Sequence, residues 1–101
     1  MSVLADGATL FVVDLEYVVP VEQVEPLIEG HMDFLKDCYD KGLFLASGPK
    51  VPRTGGVILA QSTSRAAVEG LIKADPFHEA AVARYTITEF VPRMTCDALA
   101  G

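Results

Sequence analysis

The hydrophobic and polar positions of this sequence change period along the chain, and each change predicts a new secondary-structure element. Residues 10–17, LFVVDLEY, alternate with a period of two, which is typical of a β-strand with two different faces. The side chains of one face are Phe11, Val13, Leu15 and Tyr17. We predict that this first strand ends before Pro20.

From Glu22 to Lys41 the period becomes that of an α-helix. At about 100° per residue, an apolar sector faces an acidic and lysine-rich sector. The apolar sector contains Val24, Leu27, Ile28, His31, Met32, Phe34, Leu35, Cys38 and Tyr39. Pro26 is tolerable near the start of a helix, where its missing N–H matters least, and Gly42 is a natural stop. The pattern predicts one continuous amphipathic helix.

Two short strands are predicted next, at residues 43–47 and 56–61, with the segment SGPKVPRTGG (residues 47–56) between them. Ser62, Thr63 and Ser64 then offer N-caps for a second helix over residues 65–74. Asp75-Pro76 ends this helix, because a residue before proline is pushed out of the α region.

The last third of the chain predicts a helical turn over residues 77–83 and a final strand over residues 84–91, RYTITEFV. Pro92 ends the strand, and residues 92–101 are expected to form a loose tail. The element order is β-α-β-β-α-β, which predicts an α+β, ferredoxin-like fold. In it, a four-stranded antiparallel sheet carries both helices on one face.

The other face of this sheet also carries apolar residues, so it needs a second cover. We expect a second copy of the chain to supply it, as a homodimer. With 101 residues, half of them apolar, the chain is expected to form a single domain over residues 1–101.

The charge balance excludes some partners. A net charge of −6 and a pI near 4.7 argue against nucleic acid and against anionic membrane surfaces. The start of the sequence lacks the features of a signal peptide, and no run reaches membrane-spanning length. Cys38 and Cys96 form no CxxC motif, which favours a reduced, cytoplasmic protein.

His31 is the unusual residue of the first helix, because it lies in the centre of the apolar sector. One interpretation is a packing histidine whose ring is satisfied by backbone or water. The other is a general acid or base. Cys38 follows on the same face at a distance of about 10 Å, too far for a nucleophile paired with His31. No metal-ligand spacing is present, so we expect neither a metal nor another cofactor.

Asp75 has an evident structural role, since Asp at an N-cap followed by Pro starts a helical turn. A carboxylate has two oxygens, so the same residue can cap the turn and accept a hydrogen bond from an imidazole. His78 precedes Glu79 in a polar setting and is expected at the surface.

The segment SGPKVPRTGG does not match the GxxxxGK[ST] phosphate loop. Its prolines stiffen the chain and its glycines allow close backbone approach. Lys50 and Arg53 form a local cationic pair on an acidic protein. Two interpretations remain, a solvated hairpin tip and a pocket rim that attracts a small anionic ligand.

Taken in order, these residues resemble the YCII-related family. The resemblance rests on His31, on Gly48-Pro49 in GLFLASGP, on Gly55-Gly56 and on Asp75-Pro76-Phe77, and it covers most of the chain. It implies a dimeric α/β barrel in which two sheets pack face to face. It also implies a His–Asp pair in a pocket, which falls on His31 and Asp75, with Ser47 able to line the same pocket.

Some relatives resemble dehydrochlorinases that act on chlorinated hydroxyquinols with a His–Asp pair moving protons. Many relatives carry an Arg three residues before the His, where this chain has Ile28. Lys50 or Arg53 is then the candidate for an anion contact, beside Ser47, Gly48 and Pro49.

Three functions are compatible with the sequence. The first is a small enzyme without cofactor, in which His31 and Asp75 perform acid/base chemistry, such as isomerisation or elimination, on a small polar or aromatic substrate. The second is a non-catalytic metabolite-binding or accessory dimer. The third is a structural dimer without a ligand. A cavity that encloses His31 beside Asp75 favours the first two, whereas burial of His31 in side chains favours the third.

Overall fold

The computed structural model describes residues 3–99. The strands are β1 (Thr9–Tyr17), β2 (Phe44–Pro49), β3 (Gly55–Ser62) and β4 (Ala83–Phe90). The helices are α1 (Val21–Val24), α2 (Ile28–Asp40), α3 (Arg65–Ile72) and α4 (Pro76–Glu79), with a 3₁₀ turn, Glu25–Leu27, between α1 and α2. Ala100 and Gly101, the end of the predicted tail, lie outside the described residues.

The four strands form one antiparallel sheet in the order β2-β3-β1-β4. The predicted α+β, ferredoxin-like arrangement is confirmed. Strand β1 is central, and its residue Val13 lies between Ile58 of β3 and Ile87 of β4. Because opposite residues in an antiparallel pair point to the same side, this register assigns the paired strand residues to one of two sheet faces.

The helices pack on one face of the sheet. The alternating side chains of β1 that were predicted to share a face are buried there or half-buried. They join the buried side chains of the helices in one hydrophobic cluster. The cluster includes Phe11, Val13 and Leu15 of β1, Leu35 and Cys38 of α2, Val68 and Ile72 of α3, and Phe77 of α4.

The prediction of one continuous helix over residues 22–41 is wrong at its first third. The chain turns once as α1, passes through the 3₁₀ turn that contains Pro26, and only then forms α2. Proline has no N–H to donate to the preceding turn and its ring crowds that turn, which explains the interruption. Gly42 follows α2 with a φ of 74°, as expected for a glycine that stops a helix.

Both predicted strands are too short at the hairpin, because β2 continues past Ser47 to Pro49 and β3 begins at Gly55 rather than Gly56. Residues 47–49 belong to β2 and residues 55–56 to β3, where Ser47 pairs with Ile58 and Pro49 with Gly56. Only residues 50–54 remain as the connection. Proline is acceptable here because β2 is an edge strand, which leaves one side of its backbone unpaired.

Some element boundaries also differ from the predicted ones by a few residues. Helix α3 ends at Ile72 rather than Ala74, and α4 ends at Glu79, so that Ala83 belongs to β4 instead of a helical turn. The predicted N-cap is found at Ser64, whose Oγ accepts a hydrogen bond from the Ala67 N–H at 3.2 Å.

The second face of the sheet, which we call the open face, carries no helix. Val12 and Leu59 are half-buried on it, Val57 and Phe90 are exposed, and the ion pairs Lys50–Asp14 and Arg84–Glu16 also lie on it. None of the helices within residues 3–99 is long and apolar enough to cross a membrane.

Candidate functional site

A cavity of about 440 Å³ lies between α2, the start of α4 and the β2–β3 hairpin. Helix α2 contributes Ile28, His31, Met32 and Leu35, and α4 contributes Phe77. Ser47, Gly48, Pro49 and Arg53 of the predicted pocket rim line the same cavity. The structure therefore brings most of the predicted site residues around one space.

His31 extends from α2 into this cavity, and its side chain is 14% exposed. The ring atom Nδ1 lies 2.8 Å from Oδ1 of Asp75, within the range expected for a hydrogen bond. The other ring nitrogen, Nε2, has no hydrogen-bond partner among residues 3–99, and it is not a buried atom without a partner. Nε2 is consequently the ring nitrogen that a bound molecule can reach.

Asp75 is fully buried, at 0% exposure. Its Oδ1 accepts the Phe77 backbone N–H at 3.0 Å as well as the His31 contact, and its Oδ2 accepts the Tyr85 hydroxyl at 2.6 Å. The side chain thus caps α4 and contacts an imidazole at the same time. Three donors converge on it, which suits the ionised carboxylate, a group that only accepts hydrogen bonds.

The imidazole of His31 is also held by stacking. Its ring lies parallel to the Phe77 ring, with centroids 3.9 Å apart and an interplanar angle of 5°. Gly30 allows α2 to come close enough for this contact, because a Cβ at that position would lie 3.2 Å from Cγ of Pro76. Asp75, Pro76 and Phe77 therefore all lie against α2, the first and third through His31 and the second beside Gly30.

Tyr85 was not among the residues predicted for the site. Its side chain reaches Asp75 from β4, where Tyr85 pairs with Leu15 and so faces the helices. Burial raises the pKa of the Tyr85 phenol, and the hydrogen bond to Asp75 raises it further. The sequence feature that could have identified Tyr85 is the alternation of RYTITEFV. It places Tyr85 and Ile87 on one face of the strand and the polar residues between them on the other.

The two cations of the hairpin segment are separated by the fold. Arg53 lines the cavity, and its guanidinium makes no hydrogen bond or ion pair with any residue from 3 to 99. Lys50 is not a lining residue, because its Nζ lies 2.8 Å from Oδ1 of Asp14 on the open face. The structure does not bring Lys50 to the cavity, since the β2 register turns its side chain away.

Ser47 carries the side-chain hydroxyl of β2. Its Oγ lies 2.7 Å from the Tyr39 hydroxyl of α2, so one contact joins the hairpin to the helix beside the cavity. Most of the other lining side chains are apolar, among them Leu15, Ile28 and Phe77. The cavity thus has an apolar interior with a few polar groups at defined places.

The other reactive groups lie elsewhere. Cys38 is buried in the core, and burial raises the pKa of its thiol. Cys96 is exposed in the C-terminal segment. Within residues 3–99, no three His, Cys, Asp or Glu side chains come together in a way that could hold a metal ion.

The architecture is that of an α+β protein with a ferredoxin-like sheet. The chain belongs to the YCII-related family, since the family model of the YCII-related domain matches residues 9–91. A search of curated protein sequences found no match.

Among solved structures, the chain is similar to 5-chloro-2-hydroxyhydroquinone dehydrochlorinase from Burkholderia phenoliruptrix AC1100, in complex with 2,5-dihydroxybenzoquinone. The TM-score is 0.70 at 18% sequence identity, and the match covers 80% of this chain and 92% of that one. At this identity, the similarity shows a shared fold.

Proposed function

We propose that the protein is a small enzyme that works without a cofactor, with His31 as the general base or acid. One observation carries the proposal. A histidine that lines an apolar cavity has one ring nitrogen bonded to a buried carboxylate, while the other nitrogen is not fully buried and has no partner among residues 3–99. This arrangement orients an imidazole for proton transfer to a bound molecule.

The reaction class that fits best is the elimination of HX from a small hydroxylated ring, or a related isomerisation. In an elimination, Nε2 of His31 takes a proton from the substrate, and the electron pair left behind forms a new π bond. The leaving group departs with its own electron pair, so the proton and the anion together make HX. The step needs no oxidant or reductant.

The other residues have supporting roles in this proposal. Asp75 holds the His31 ring and stabilises the imidazolium that forms when Nε2 takes the proton. Arg53 attracts an anionic group on the substrate, because its guanidinium is not engaged elsewhere among the described residues. Ser47, Gly48 and Pro49 form the wall beside the ring. The ligand of the solved relative, 2,5-dihydroxybenzoquinone, belongs to this substrate class.

The proposal includes a homodimer in a reducing, cytoplasmic setting. The open face supports the dimer, because apolar side chains such as Val12, Val57 and Phe90 lie on it without a covering helix. The free thiols of Cys38 and Cys96 support a reducing compartment. We also propose that residues 1–101 act as one domain, as one hydrophobic cluster in the described residues suggests.

The test uses two readouts on the same protein. The first is an NMR titration of the His31 ring with 2,5-dihydroxybenzoquinone, with hydroquinone as an uncharged comparison. The second is chloride release from 5-chloro-2-hydroxyhydroquinone. We expect the quinone to shift the His31 signals, and we expect His31→Gln to slow chloride release by a factor of about 100 or more. Gln is suitable because it keeps a donor toward Asp75 but cannot take up a proton.

The outcomes separate the candidate functions. Ligand-induced shifts at His31 without chloride release would favour the metabolite-binding module, for which the apolar cavity is the specific support. Equal chloride release by the wild type and His31→Gln would remove His31 as the base. If neither 2,5-dihydroxybenzoquinone nor hydroquinone shifts the His31 signals, the result would favour a structural dimer.

A further inference from the structure

The carboxylate of Asp75 is the meeting point of three different structural elements. It receives a ring nitrogen from α2, a backbone N–H from α4 and a hydroxyl from β4. The first two contacts share Oδ1, whereas Tyr85 alone occupies Oδ2. Asp75 is completely buried, so these three donors surround it in place of solvent.

The hydroxyl of Tyr85 is a donor in this contact. The carboxylate offers no proton to it, and the pKa of the phenol is raised by burial and by the contact itself. The hydroxyl therefore stays protonated at neutral pH. A hydrogen bond to an ionised group favours the ionised form. Because the Tyr85 hydroxyl donates, Oδ2 of Asp75 serves as an acceptor in this contact.

The protonation state of Asp75 decides which nitrogen of His31 carries the proton. A carboxylate at 2.8 Å from Nδ1 requires a proton on Nδ1, which leaves the lone pair on Nε2. If Asp75 took up a proton from solvent, the neutral carboxyl group would instead donate to Nδ1, and the neutral imidazole would then carry its own proton on Nε2. In that second state, the nitrogen that faces the cavity cannot accept a proton.

We propose that Tyr85 is a positioning residue that holds Asp75 as an acceptor and so keeps Nε2 of His31 as the free base. The inference rests on the proposed function, in which Nε2 is the proton acceptor. Tyr85 does not line the cavity, so its effect passes through Asp75. Three side chains from β4, the start of α4 and α2 thus form one hydrogen-bonded series, Tyr85–Asp75–His31.

The neighbours of Tyr85 do not offer an alternative donor. His78 contacts the Tyr85 ring edge-on, with centroids 5.5 Å apart, and it makes no hydrogen bond to Asp75. Tyr17 is the other phenol on the same face, and it contacts Phe77 rather than Asp75. Removal of the Tyr85 hydroxyl therefore leaves Oδ2 without a donor.

The experiment measures the His31 tautomer by the ¹⁵N chemical shifts and ring couplings of the imidazole in the ligand-free protein. The chain has two histidines, so a His78→Gln sample assigns the signals. In the wild type, we expect the neutral ring to carry its proton on Nδ1. In Tyr85→Phe, we expect a measurably larger share of the neutral His31 population to carry the proton on Nε2 than in the wild type. Tyr39→Phe, which removes a hydroxyl bonded to Ser47 instead, should retain the wild-type tautomer.

Two results would overturn the inference. One is a wild-type protein whose neutral His31 carries its proton on Nε2, and this result needs no variant to fold. The other is a folded Tyr85→Phe whose tautomer equals that of the wild type. The proposed function is tested by a separate readout. If Tyr85→Phe changes the tautomer but the protein neither releases chloride nor shows ligand shifts, the proposed enzyme is rejected and the role of Tyr85 is retained. If chloride release depends on His31 but Tyr85→Phe leaves the tautomer unchanged, the enzyme is retained and the role of Tyr85 is rejected.

Discussion

Gly30 and Pro76 touch at the point where α2 meets the start of α4, one residue before His31 and one residue after Asp75. A Cβ on Gly30 would lie 3.2 Å from Cγ of Pro76, which is closer than ordinary van der Waals contact. This approach sets the separation across which the His31 ring reaches the Asp75 carboxylate.

The first prediction concerns this contact. An alanine in a helix is more stable than a glycine by about 0.5–1 kcal/mol. Gly70 of α3 has nothing within 4 Å of an added Cβ, so Gly70→Ala should gain this amount in the free energy of unfolding. Gly30→Ala should gain less than Gly70→Ala, because the methyl group pushes on the Pro76 ring. Chemical denaturation of both variants measures the difference. Equal gains would mean that the contact exerts no constraint.

The second prediction separates the two cations of the hairpin segment. Arg53→Gln should weaken the binding of 2,5-dihydroxybenzoquinone about three- to tenfold and flatten its salt dependence, because a free guanidinium at the cavity attracts an anion. Lys50→Gln should leave this affinity unchanged, because Lys50 is paired with Asp14. Titration calorimetry at two salt concentrations measures both effects. A larger loss from Lys50→Gln would reverse the assignment.

The third prediction concerns the buried carboxylate. Asp75→Asn should lower the free energy of unfolding by about 1–3 kcal/mol. The amide oxygen can still accept from Phe77 and His31, while the amide NH₂ must turn toward the Tyr85 oxygen. Asp75→Ala should cost more, since it leaves three donors without an acceptor. Asp33→Asn, an exposed change on α2, should stay within about 0.5 kcal/mol of the wild type. A neutral effect of Asp75→Ala in the same denaturation assay would contradict the hydrogen-bond assignment.

The fourth prediction follows from the raised pKa of Tyr85. The folded chain holds this proton more tightly than the unfolded chain, whose tyrosines titrate near about pH 10. The stabilisation is therefore complete below about pH 10 and declines above it, by up to about 1.4 kcal/mol per pH unit, as only the unfolded chain releases the proton. Unfolding measured between about pH 8 and 11 should show a shallower decline for Tyr85→Phe than for the wild type or Tyr39→Phe. Three parallel curves would show that Tyr85 titrates alike in both states.

The fifth prediction concerns the open face. A homodimer built on it should bury more than about 1,000 Å² in total, so sedimentation should give twice the chain mass. Thr88 is exposed on this face, opposite Val12. Thr88→Arg should therefore leave the single chain folded but shift the mass toward one chain, because the interface would bury an unpaired charge. Lys36→Glu, on the exposed side of α2, should remain dimeric. A wild-type protein that sediments as one chain at every concentration would rule out this assembly.

Local patterns were sufficient for the order of elements and for the face of each main element. The period of two in β1 and the period of the following helix placed Phe11 and Leu35 in the core, where they are found. They also placed His31 toward the apolar interior. The N-cap signals at Ser64 and Asp75 were likewise readable, because each depends on residues close in sequence.

Strand pairing between residues far apart in the sequence could not be predicted from these local patterns. Gly48 and Pro49 belong to a strand because β3 pairs with them, although their composition is typical of a loop. Lys50 is turned to the open face by that pairing, toward an aspartate 36 positions away. Tyr85 reaches Asp75 only through the register between β4 and β1. Most of the candidate site was predicted. Lys50 was misplaced and Tyr85 was missed, because the sheet register decides where both side chains lie.

The contact between His31 and Asp75 joins residues 44 positions apart, and Tyr85 lies on β4, the last of the four strands in the described residues. A nascent chain that has emerged through β3 already contains three strands and α2, but it has neither the carboxylate nor the phenol. Translation must therefore pass Asp75 before the imidazole acquires its carboxylate partner, and Tyr85 before that carboxylate acquires the phenol. A partial chain that ends before Asp75 would lack the His31–Asp75 contact even where it is partly folded.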